Sequence, residues 1–250
     1  MNGQELLQKM RETYASLESY SDIGMVESPG MVGPAIEFHT YFRRPDNYRF
    51  RWLSWHPLYG KKEGAEEHVL WTDGKDYWKN FFNQVEKCES LSQLIAAATG
   101  ISSGSAYAIS DLLFPGSLGF THIWHHMTDV KPVADTTIGD SKCFLVSGKS
   151  GESSDTEVCI EQNSYLVRRL RLIHSVTEEA CAAMSALTQS DKYLDIMKAA
   201  AKKSGLSDEE IAEEIEALST LFKPSTLDFT YHYKSVAVNE PIDDKTFTGK

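Results

Sequence analysis

The sequence predicts an α+β fold in which a curled antiparallel sheet forms an incomplete (half) β-barrel that is covered by helices. Three observations favour this fold. Short runs of alternating apolar and polar residues, typical of half-buried strands, follow one another from residue 20 onward. The connections between these runs are too short for the crossover helices that a parallel sheet requires. Segments of helical periodicity lie between the strands, and an antiparallel sheet of about nine or ten strands curls rather than lying flat.

The first part of the chain predicts one helix followed by a series of hairpins. Apolar residues recur at helical spacing between residues 4 and 19, which is typical of an amphipathic helix. The runs "YSDIGMVES", "PAIEFHTYF", "NYRFRWLSW" and "EEHVLWTDGKDYWKNFF" then predict five consecutive antiparallel strands. The pair Asp73-Gly74 inside the last run is a strong signal for a two-residue hairpin turn.

The second part of the chain alternates between helices and strands. "ESLSQLIAAATG" and "SAYAISDLLFPG" predict two short, mostly buried helices, after which strand patterns resume near Thr128. Residues 177–223 are predicted to be helical, and the capping box of Ser207 and Glu210 marks the start of their last helix. A long final strand follows. We therefore expect a single domain over residues 1–250, with a helical insertion at about 177–223 before the last strand.

The stretch "HTYFRRPDNYRFRW" interleaves rings with arginines, a composition also found in proteins that bind single-stranded nucleic acid. Successive side chains of a strand point to opposite faces, so the rings fall on one face while Arg49 and Arg51 fall on the other. A base-stacking surface would need both on the same face. The net charge of −11, from 25 basic and 36 acidic residues, also opposes binding to a polyanion. The sequence therefore predicts no nucleic-acid partner.

The ring-bearing face of the predicted strands lies on the inside of the curled sheet. It carries more aromatic area than one helix can cover, so the inner space must be filled by the helices, by a ligand, or by both. The residues predicted to line a ligand-binding cavity are Phe38, Phe42, Tyr48, Phe50, Trp52, Phe229 and Tyr231.

The sequence shows no helix that would cross or enter a membrane. It contains no run of about eighteen apolar residues, and "MNGQELLQKM" lacks the apolar core of a signal peptide. We expect a periplasmic or otherwise extracytoplasmic protein whose leader is missing from this chain, or a cytoplasmic protein if no leader exists. Contact with a membrane would be peripheral at most.

The four cysteines are spaced too widely for a zinc ribbon or a CxxC redox motif. "KCFLVSG" and "TEVCIEQ" predict the two arms of a hairpin, in which Cys143 and Cys159 lie symmetrically about Gly151. This symmetry predicts that the two residues are directly opposed across the strands. Two alternatives remain: a Cys143–Cys159 disulfide in an oxidising compartment, or two buried free thiols.

The histidines of "THIWHHM" are a weak candidate for a metal site. His122, His125 and His126 lie within five residues, and His56 or His68 could add another ligand. A metal site needs three or four converging ligands, and neither an HExxH motif nor a flanking carboxylate accompanies these residues. We therefore expect surface or loop histidines and no metal.

No motif for catalysis or cofactor binding is found in the sequence. It lacks a GxSxG elbow, a P-loop and a GxGxxG turn, so we expect neither catalytic residues nor a cofactor. The arginines of "YLVRRLRL" split over two faces, with Arg169 and Arg171 on one and Arg168 on the other. Surface charge on a strand is the simpler interpretation. The alternative is an arginine that meets a lipid head group or an acidic lipidated peptide inside the cavity.

Three motifs in the order "YFRRPDNYRFRW", "VLWTDGKDYW" and "VAVNEPIDDKTF" resemble the LolA-like bacterial lipoprotein carriers. The resemblance covers roughly residues 1–175 and 224–248. It implies an incomplete antiparallel barrel, closed by helices, whose apolar cavity holds acyl chains. In these carriers the arginine before the proline latches the helical lid through hydrogen bonds to its backbone. The matching residue is Arg44, and the preceding Arg43 is the alternative. The carriers lack the helical insertion.

These observations favour a non-enzymatic extracytoplasmic carrier or sensor. Its partner would be a lipid, an acyl chain or a lipidated protein or peptide, bound in the cavity between sheet and helices. The alternative is a protein-interaction module of the cell envelope, active in stress sensing or assembly, which contacts another envelope protein through the sheet and the acidic insertion "DEEIAEEIEA". A lipid hydrolase is the third hypothesis.

Overall fold

The computed structural model describes residues 1–29, 35–54, 66–81, 83–118, 123–151, 154–203, 207–221 and 223–249. They form an antiparallel sheet with helices, as predicted. The strands are β1 (Ser19–Glu27), β2 (Ile36–Arg43), β3 (Asn47–Ser54), β4 (Glu66–Asp73), β5 (Tyr77–Phe81), β6 (Gln84–Cys88), β7 (Met127–Ile138), β8 (Ser141–Ser150), β9 (Ser154–Glu161), β10 (Val167–Val176) and β11 (Ser225–Val238). The helices are α1 (Gly3–Ala15), α2 (Leu91–Thr99), α3 (Ser105–Ala108), α4 (Ser110–Leu113), α5 (Glu178–Thr188), α6 (Asp191–Lys203) and α7 (Asp208–Leu221), with a 3-10 helix at Asp244–Phe247.

The eleven strands form one open sheet that consists of two meanders. In the described part of the chain, β1 to β6 lie side by side in chain order, and β7 to β10 do the same. β11 lies between β1 and β10 and joins the two meanders. β6 and β7 are the free edges, so the sheet is not closed into a barrel, and the predicted incomplete barrel is confirmed.

Two details of the predicted element list are wrong. The first meander has six strands, because Asn83 adopts a left-handed conformation (φ 60°) that turns the chain into β6. β6 escapes prediction because four of its five residues are exposed and it lacks apolar alternation. The segment predicted as two helices contains three, since Ser103 and Gly104 (φ 50° and 80°) separate α2 from α3, and a turn at Ile109 separates α3 from α4.

Helix α1 is amphipathic, as its periodicity predicts. Asn2 and Glu5 form a reciprocal capping box at its start, which satisfies backbone N–H groups that the helix leaves unpaired. Its buried side chains, including Leu7, Met10 and Tyr14, belong to the main hydrophobic core. The Tyr14 hydroxyl accepts a hydrogen bond from the backbone N–H of Val167 at 3.1 Å, so the helix is tied to the start of β10.

The chain divides into two compact units. The described residues of Met1–Trp55, Gly64–Ile173 and Asp228–Lys250 form the first, which we call the sheet unit. Those of His56–Glu63 and His174–Leu227 form the second, the helical unit, in which α5, α6 and α7 contact one another. These helices correspond to the predicted insertion, and the single domain over residues 1–250 stays a prediction. None of the described helices has both the length and the apolar character needed to span a bilayer.

Candidate functional site

The rings predicted to lie on the inside of the sheet do lie together on one face. The register of β2 and β3 places Phe38 opposite Trp52 and Phe42 opposite Tyr48, with Phe50 between the two pairs. All five side chains are at most 1% exposed. The ring centroids of Phe38 and Phe50 are 5.8 Å apart, and those of Phe50 and Trp52 are 5.5 Å apart. We call this surface the inner aromatic face.

Strand β11 extends the inner aromatic face beyond β1. Tyr231 and Tyr233 are buried on it, and the Tyr233 ring lies 5.7 Å from that of Phe38 in an edge-to-face arrangement. Phe229 is half-buried against the same core. The seven predicted lining residues therefore belong to one continuous core surface, although their role in ligand binding stays a prediction.

The residues 91–114, which contain α2, α3 and α4, cover the inner aromatic face, and we call them the cover segment. The Phe114 ring packs edge to face on the rings of Phe42 and Tyr48, at 5.1 and 5.5 Å. The Tyr48 and Ser110 hydroxyls are 2.7 Å apart and hydrogen-bonded. The Trp52 indole N–H donates to the carbonyl of Ile101 at 3.2 Å. Buried Tyr and Trp side chains of the sheet thus satisfy their polar atoms on the cover segment.

The turn between α2 and α3 is fitted closely to the sheet. The Tyr231 hydroxyl donates to the carbonyl of Ser103 at 2.7 Å. The next residue, Gly104, has φ 80°, and a Cβ atom there would lie 2.8 Å from that hydroxyl. Both the left-handed backbone and the close approach therefore require glycine at this position.

The cover segment is held from a second direction by residues that sequence reasoning missed. The indole N–H of Trp124 donates to the carbonyl of Ala108 at 2.8 Å, and Arg11 of α1 donates to the backbone carbonyl of Trp124 at 2.9 Å. Trp124 lies within "THIWHHM", where the histidines drew attention. The tryptophan itself was the available signal, because a large ring is rarely left without a packing partner.

The two arginines before Pro45 hold different segments of the chain. Arg44 donates through Nε to the carbonyl of Leu17 at 2.8 Å and through Nη2 to the carbonyl of Ala15, at the end of α1. Arg43 donates to the carbonyl of Ile242 at 3.0 Å and stacks on the ring of Phe247. Arg44 thus bonds helix backbone, in α1 rather than in the cover segment, and its role as a latch stays a prediction.

Substitution of Arg44 with alanine is expected to loosen the end of α1. The carbonyls of Ala15, at the end of the helix, and of Leu17, just after it, would lose a charged partner, at a cost of about 1–2 kcal/mol. Amide hydrogen exchange in residues 10–17 should become about ten-fold faster. The control is Arg51→Ala, which alters an arginine on the outer face of the sheet and should exchange at the rate of the unaltered chain. Equal exchange rates in the two variants would show that Arg44 does not stabilise the end of α1.

A buried carboxyl group lies among the rings of the inner face. The side chain of Asp22 is 2% exposed, and it accepts hydrogen bonds from the Tyr20 hydroxyl at 2.7 Å and from the Thr40 backbone N–H at 3.0 Å. Burial raises the pKa of Asp22 to about 7, because a charged carboxylate is poorly solvated there. The nearby Tyr233 hydroxyl has no hydrogen-bond partner among the described residues. Sequence reasoning missed Asp22. The available signal was strand alternation, which places Asp22 on the same inward face of β1 as Tyr20 and Val26.

The histidines do not form a metal site in the described part of the chain. His125 and His126 are exposed in a turn, which agrees with the expected loop histidines, while His122 and His56 lie outside the described residues. His68 is buried, with its ring 5.0 Å from that of Trp52. Among the described residues no group of three or more His, Cys, Asp or Glu side chains is arranged to hold a metal ion.

The register of the β8–β9 hairpin corrects the predicted cysteine pairing. Cys143 lies opposite Glu161, and Cys159 lies opposite Leu145, so the two cysteines are diagonal rather than directly opposed. The hairpin is therefore centred one residue later than the symmetry about Gly151 predicts. Both side chains are buried free thiols in this structure, and burial raises the pKa of each.

No family model matches the sequence, and no curated protein matches it. Solved structures do match. The MucA/MucB complex of Pseudomonas aeruginosa is 9% identical with a TM-score of 0.46, over 99% of this chain and 61% of that chain. The Mycobacterium tuberculosis lipoprotein LppX is 11% identical with a TM-score of 0.44, over 96% of this chain and 97% of that chain.

A LolA superfamily protein from Nitrosomonas europaea also matches, at 10% identity and a TM-score of 0.32, over 99% of this chain and 98% of that chain. That Nitrosomonas protein belongs to the superfamily that the three sequence motifs resemble.

Proposed function

We propose that the protein is a non-enzymatic carrier or sensor that acts outside the cytoplasm. It binds a lipid, an acyl chain or the acyl group of a lipidated peptide on the inner aromatic face. The observation that carries this proposal is the cover segment, which shields a continuous aromatic surface with short helices instead of one long helix. The five rings of β2 and β3 are fully buried, so a ligand reaches them after the cover segment moves.

The cover segment depends on the sheet for its stability. α3 and α4 have four residues each, far fewer than an isolated helix needs in water. The polar links of the cover segment to β3 and β11 are a few hydrogen bonds, made by Tyr48, Trp52 and Tyr231. Each contributes about 1 kcal/mol, so together they are weak compared with the apolar burial.

An acyl chain that takes the place of the cover segment keeps the aromatic rings out of water. The rings lose apolar contacts with the helices and gain apolar contacts with the ligand, so their surface stays out of water in both states. At roughly 25 cal/mol per Å² of apolar surface, the ligand offsets the loss at the rings if the contact areas are similar. Exposure of the segment's own buried side chains, such as Leu94, Leu113 and Phe114, keeps the open state the minor one in the absence of ligand. Displacement of short helices by an acyl chain therefore suits reversible loading and release.

Extraction of lipids from the purified protein, followed by native mass spectrometry, tests the proposal directly. We expect a co-purifying species with an acyl chain, and a fluorescent fatty acid that competes with it. Protein that carries no lipid and binds no acyl probe at micromolar concentration would refute the carrier. Turnover of simple acyl esters would instead favour the lipid hydrolase.

The Tyr231→Phe variant is expected to bind acyl probes more tightly. It keeps the ring but removes the hydrogen bond to Ser103, so the covered state loses about 1 kcal/mol and the open state becomes about five-fold more populated. The apparent Kd for a fluorescent fatty acid should fall by about the same factor. Tyr41→Phe, on the other face of the sheet, is the control. Equal affinity in both variants would contradict a displaceable cover segment.

A second candidate function is an interaction module of the cell envelope. The observation in its favour is the first turn of α7, in which Asp208, Glu209 and Glu210 are all exposed. A partner with a basic surface would fit this end of the helix. Crosslinking in the native envelope that disappears when residues 178–222 are deleted, in protein that carries no lipid, would favour this candidate over the carrier.

A further inference from the structure

The sheet unit has a charged groove on the face opposite to the inner aromatic face. Its β11 residues Asp228 and Thr230 alternate with the inward Phe229 and Tyr231, which places the groove on the outer side. The groove has a volume of about 540 Å³, within the range of small-molecule sites. Its lining residues, from the end of β1 and from β9, β10 and β11, are Glu27, Ser28, Pro29, Glu157, Arg169, Arg171, Asp228 and Thr230.

One wall of the charged groove is a neutralised ion pair. Arg171 donates through Nε and Nη2 to the two carboxylate oxygens of Asp228, at 3.0 and 2.7 Å. This two-point contact holds the pKa of Asp228 below its ordinary value. Nη1 of Arg171 also lies 3.5 Å from Glu157. These donors are already bound within the protein, so Arg171 lines the groove and is not the group that binds a ligand.

Arg169 is different, because it makes no ion pair among the described residues. It is half-buried. Burial raises the pKa of the Cys159 thiol, and the charge of Arg169 has the smaller and opposite effect of lowering it. Its charge also contributes to lowering the pKa of His232, after the larger effect of burial. A guanidinium has five N–H donors in a fixed plane, so Arg169 retains donors that suit the paired oxygens of a phosphate or carboxylate.

The charges that remain in the groove are of both signs. With Arg171 and Asp228 paired, Arg169 contributes one positive charge. Glu27, whose carboxylate lies 3.8 Å from Nε2 of His232, and Glu157, which lies 3.5 Å from Arg171, contribute negative charges. A ligand with only a negative charge is repelled by the two carboxylates, and a ligand with only a positive charge is repelled by Arg169. A ligand with one group of each sign satisfies both, because like charges are kept apart and opposite charges are brought together.

We propose that the charged groove binds a small zwitterion or a zwitterionic head group. Its phosphate or carboxylate is bound by the guanidinium of Arg169, supported by the hydroxyl of Thr230, and its ammonium group lies beside Glu27. Thr230 and Glu27 are directly opposed in the register of β11 and β1, which places the two ends of the site on adjacent strands. The proposal is independent of acyl binding on the inner face.

Calorimetric titration of the purified full chain tests the proposal with four soluble probes. Phosphoethanolamine and 4-aminobutanoate carry both charges, whereas inorganic phosphate and ethylamine carry one each. We expect at least one zwitterion to bind ten-fold more tightly than either single-charge probe. Inorganic phosphate that binds as tightly as the zwitterions, or no binding of either zwitterion at millimolar concentration, would overturn the proposal.

Three variants assign the binding to this groove. Arg169→Gln and Glu27→Gln should each weaken zwitterion binding about ten-fold or more, and Thr230→Val should weaken it less. Arg51→Gln, which removes an arginine paired with Glu67 elsewhere on the outer face, should leave it unchanged. Zwitterion binding that survives in both Arg169→Gln and Glu27→Gln would overturn the assignment. If one variant does not fold, the other carries the test.

Vesicles distinguish a lipid head group from a free metabolite. Phosphatidylglycerol vesicles with and without phosphatidylethanolamine are incubated with the protein and sedimented. Binding that requires phosphatidylethanolamine and is lost in Arg169→Gln identifies a head group as the ligand. Binding of the soluble zwitterions without vesicle binding identifies a free small molecule, and both results support the groove as a zwitterion site.

Discussion

Substitution of Gly24 with alanine is expected to destabilise the sheet unit by about 3 kcal/mol or to prevent its folding. A Cβ atom at Gly24 would lie 2.2 Å from Cζ of Phe38 and 2.9 Å from the backbone oxygen of His232. The Phe38 ring has little room to move, because it packs between the rings of Phe50 and Tyr233. The added methyl group therefore forces a shift in the aromatic core or in the backbone.

Urea denaturation followed by tryptophan fluorescence measures this loss as a lower midpoint. Gly100→Ala is the matched control, because a Cβ atom there has no neighbour within 4 Å and the backbone is helical. Alanine should be neutral or stabilising at Gly100 by up to about 1 kcal/mol. Equal midpoints for the two variants would mean that the Phe38 ring does not occupy the space over Gly24.

The stability of the protein is expected to fall as the pH rises from about 4 to about 7, because of Asp22. The folded chain raises the pKa of this carboxyl from its ordinary 3.8 to about 7, so it holds the proton more tightly than the unfolded chain. The contribution of Asp22 to the free energy of unfolding is fully present below pH 4 and is lost as the pH rises through 7. At 1.36 kcal/mol per pH unit it amounts to roughly 4 kcal/mol.

Asp22→Asn tests the assignment, because asparagine has nearly the same shape and does not titrate. Its side-chain oxygen can accept the hydrogen bond from Thr40, while the Tyr20 hydroxyl turns to accept from the amide. We expect the free energy of unfolding of this variant to vary much less between pH 4.5 and 7.5. The exposed Asp135→Asn is the control. A variant that keeps the full pH dependence would assign it to another group.

Other carboxylates act in a different pH range. Hydrogen bonds and Arg168 lower the pKa of Glu161 despite its partial burial, and Arg171 lowers that of Asp228. Their stabilisation is present above their ordinary pKa values and is lost as the pH falls through the lowered ones. Their effect therefore lies below about pH 4.5. The lowered pKa of His232 acts below about pH 6.5 and with the opposite sign, so the Asp22→Asn variant is needed to separate the contribution of Asp22.

Alternation along single strands made the inner aromatic face predictable from the sequence. Phe38 and Phe42 before the turn, and Tyr48, Phe50 and Trp52 after it, are in phase, and burial of one face is a local consequence of strand geometry. The Asp73-Gly74 turn between β4 and β5 was predictable for the same reason, since its signal lies in two adjacent residues.

Features that depend on pairing between strands were harder to predict. The diagonal placement of Cys143 and Cys159 follows from a shift of one residue in the centre of a hairpin, which composition does not specify. The inward carboxyl of Asp22 breaks the apolar pattern, and its partner Thr40 lies on a neighbouring strand. The charged groove draws its lining from the end of β1 and from β9, β10 and β11, which span most of the chain, so no single motif marks it.

The position of β11 has a consequence for synthesis of the chain. Each meander can form from neighbouring segments as it leaves the ribosome, because its contacts are local in sequence. The strand that joins them, Ser225–Val238, is the last of the described strands to emerge. Until then β1 and β10 are each an unpaired edge, which other chains can add to. The nascent protein is therefore most exposed to aggregation just before translation reaches residue 238, and a chaperone that shields strand edges should act at that stage.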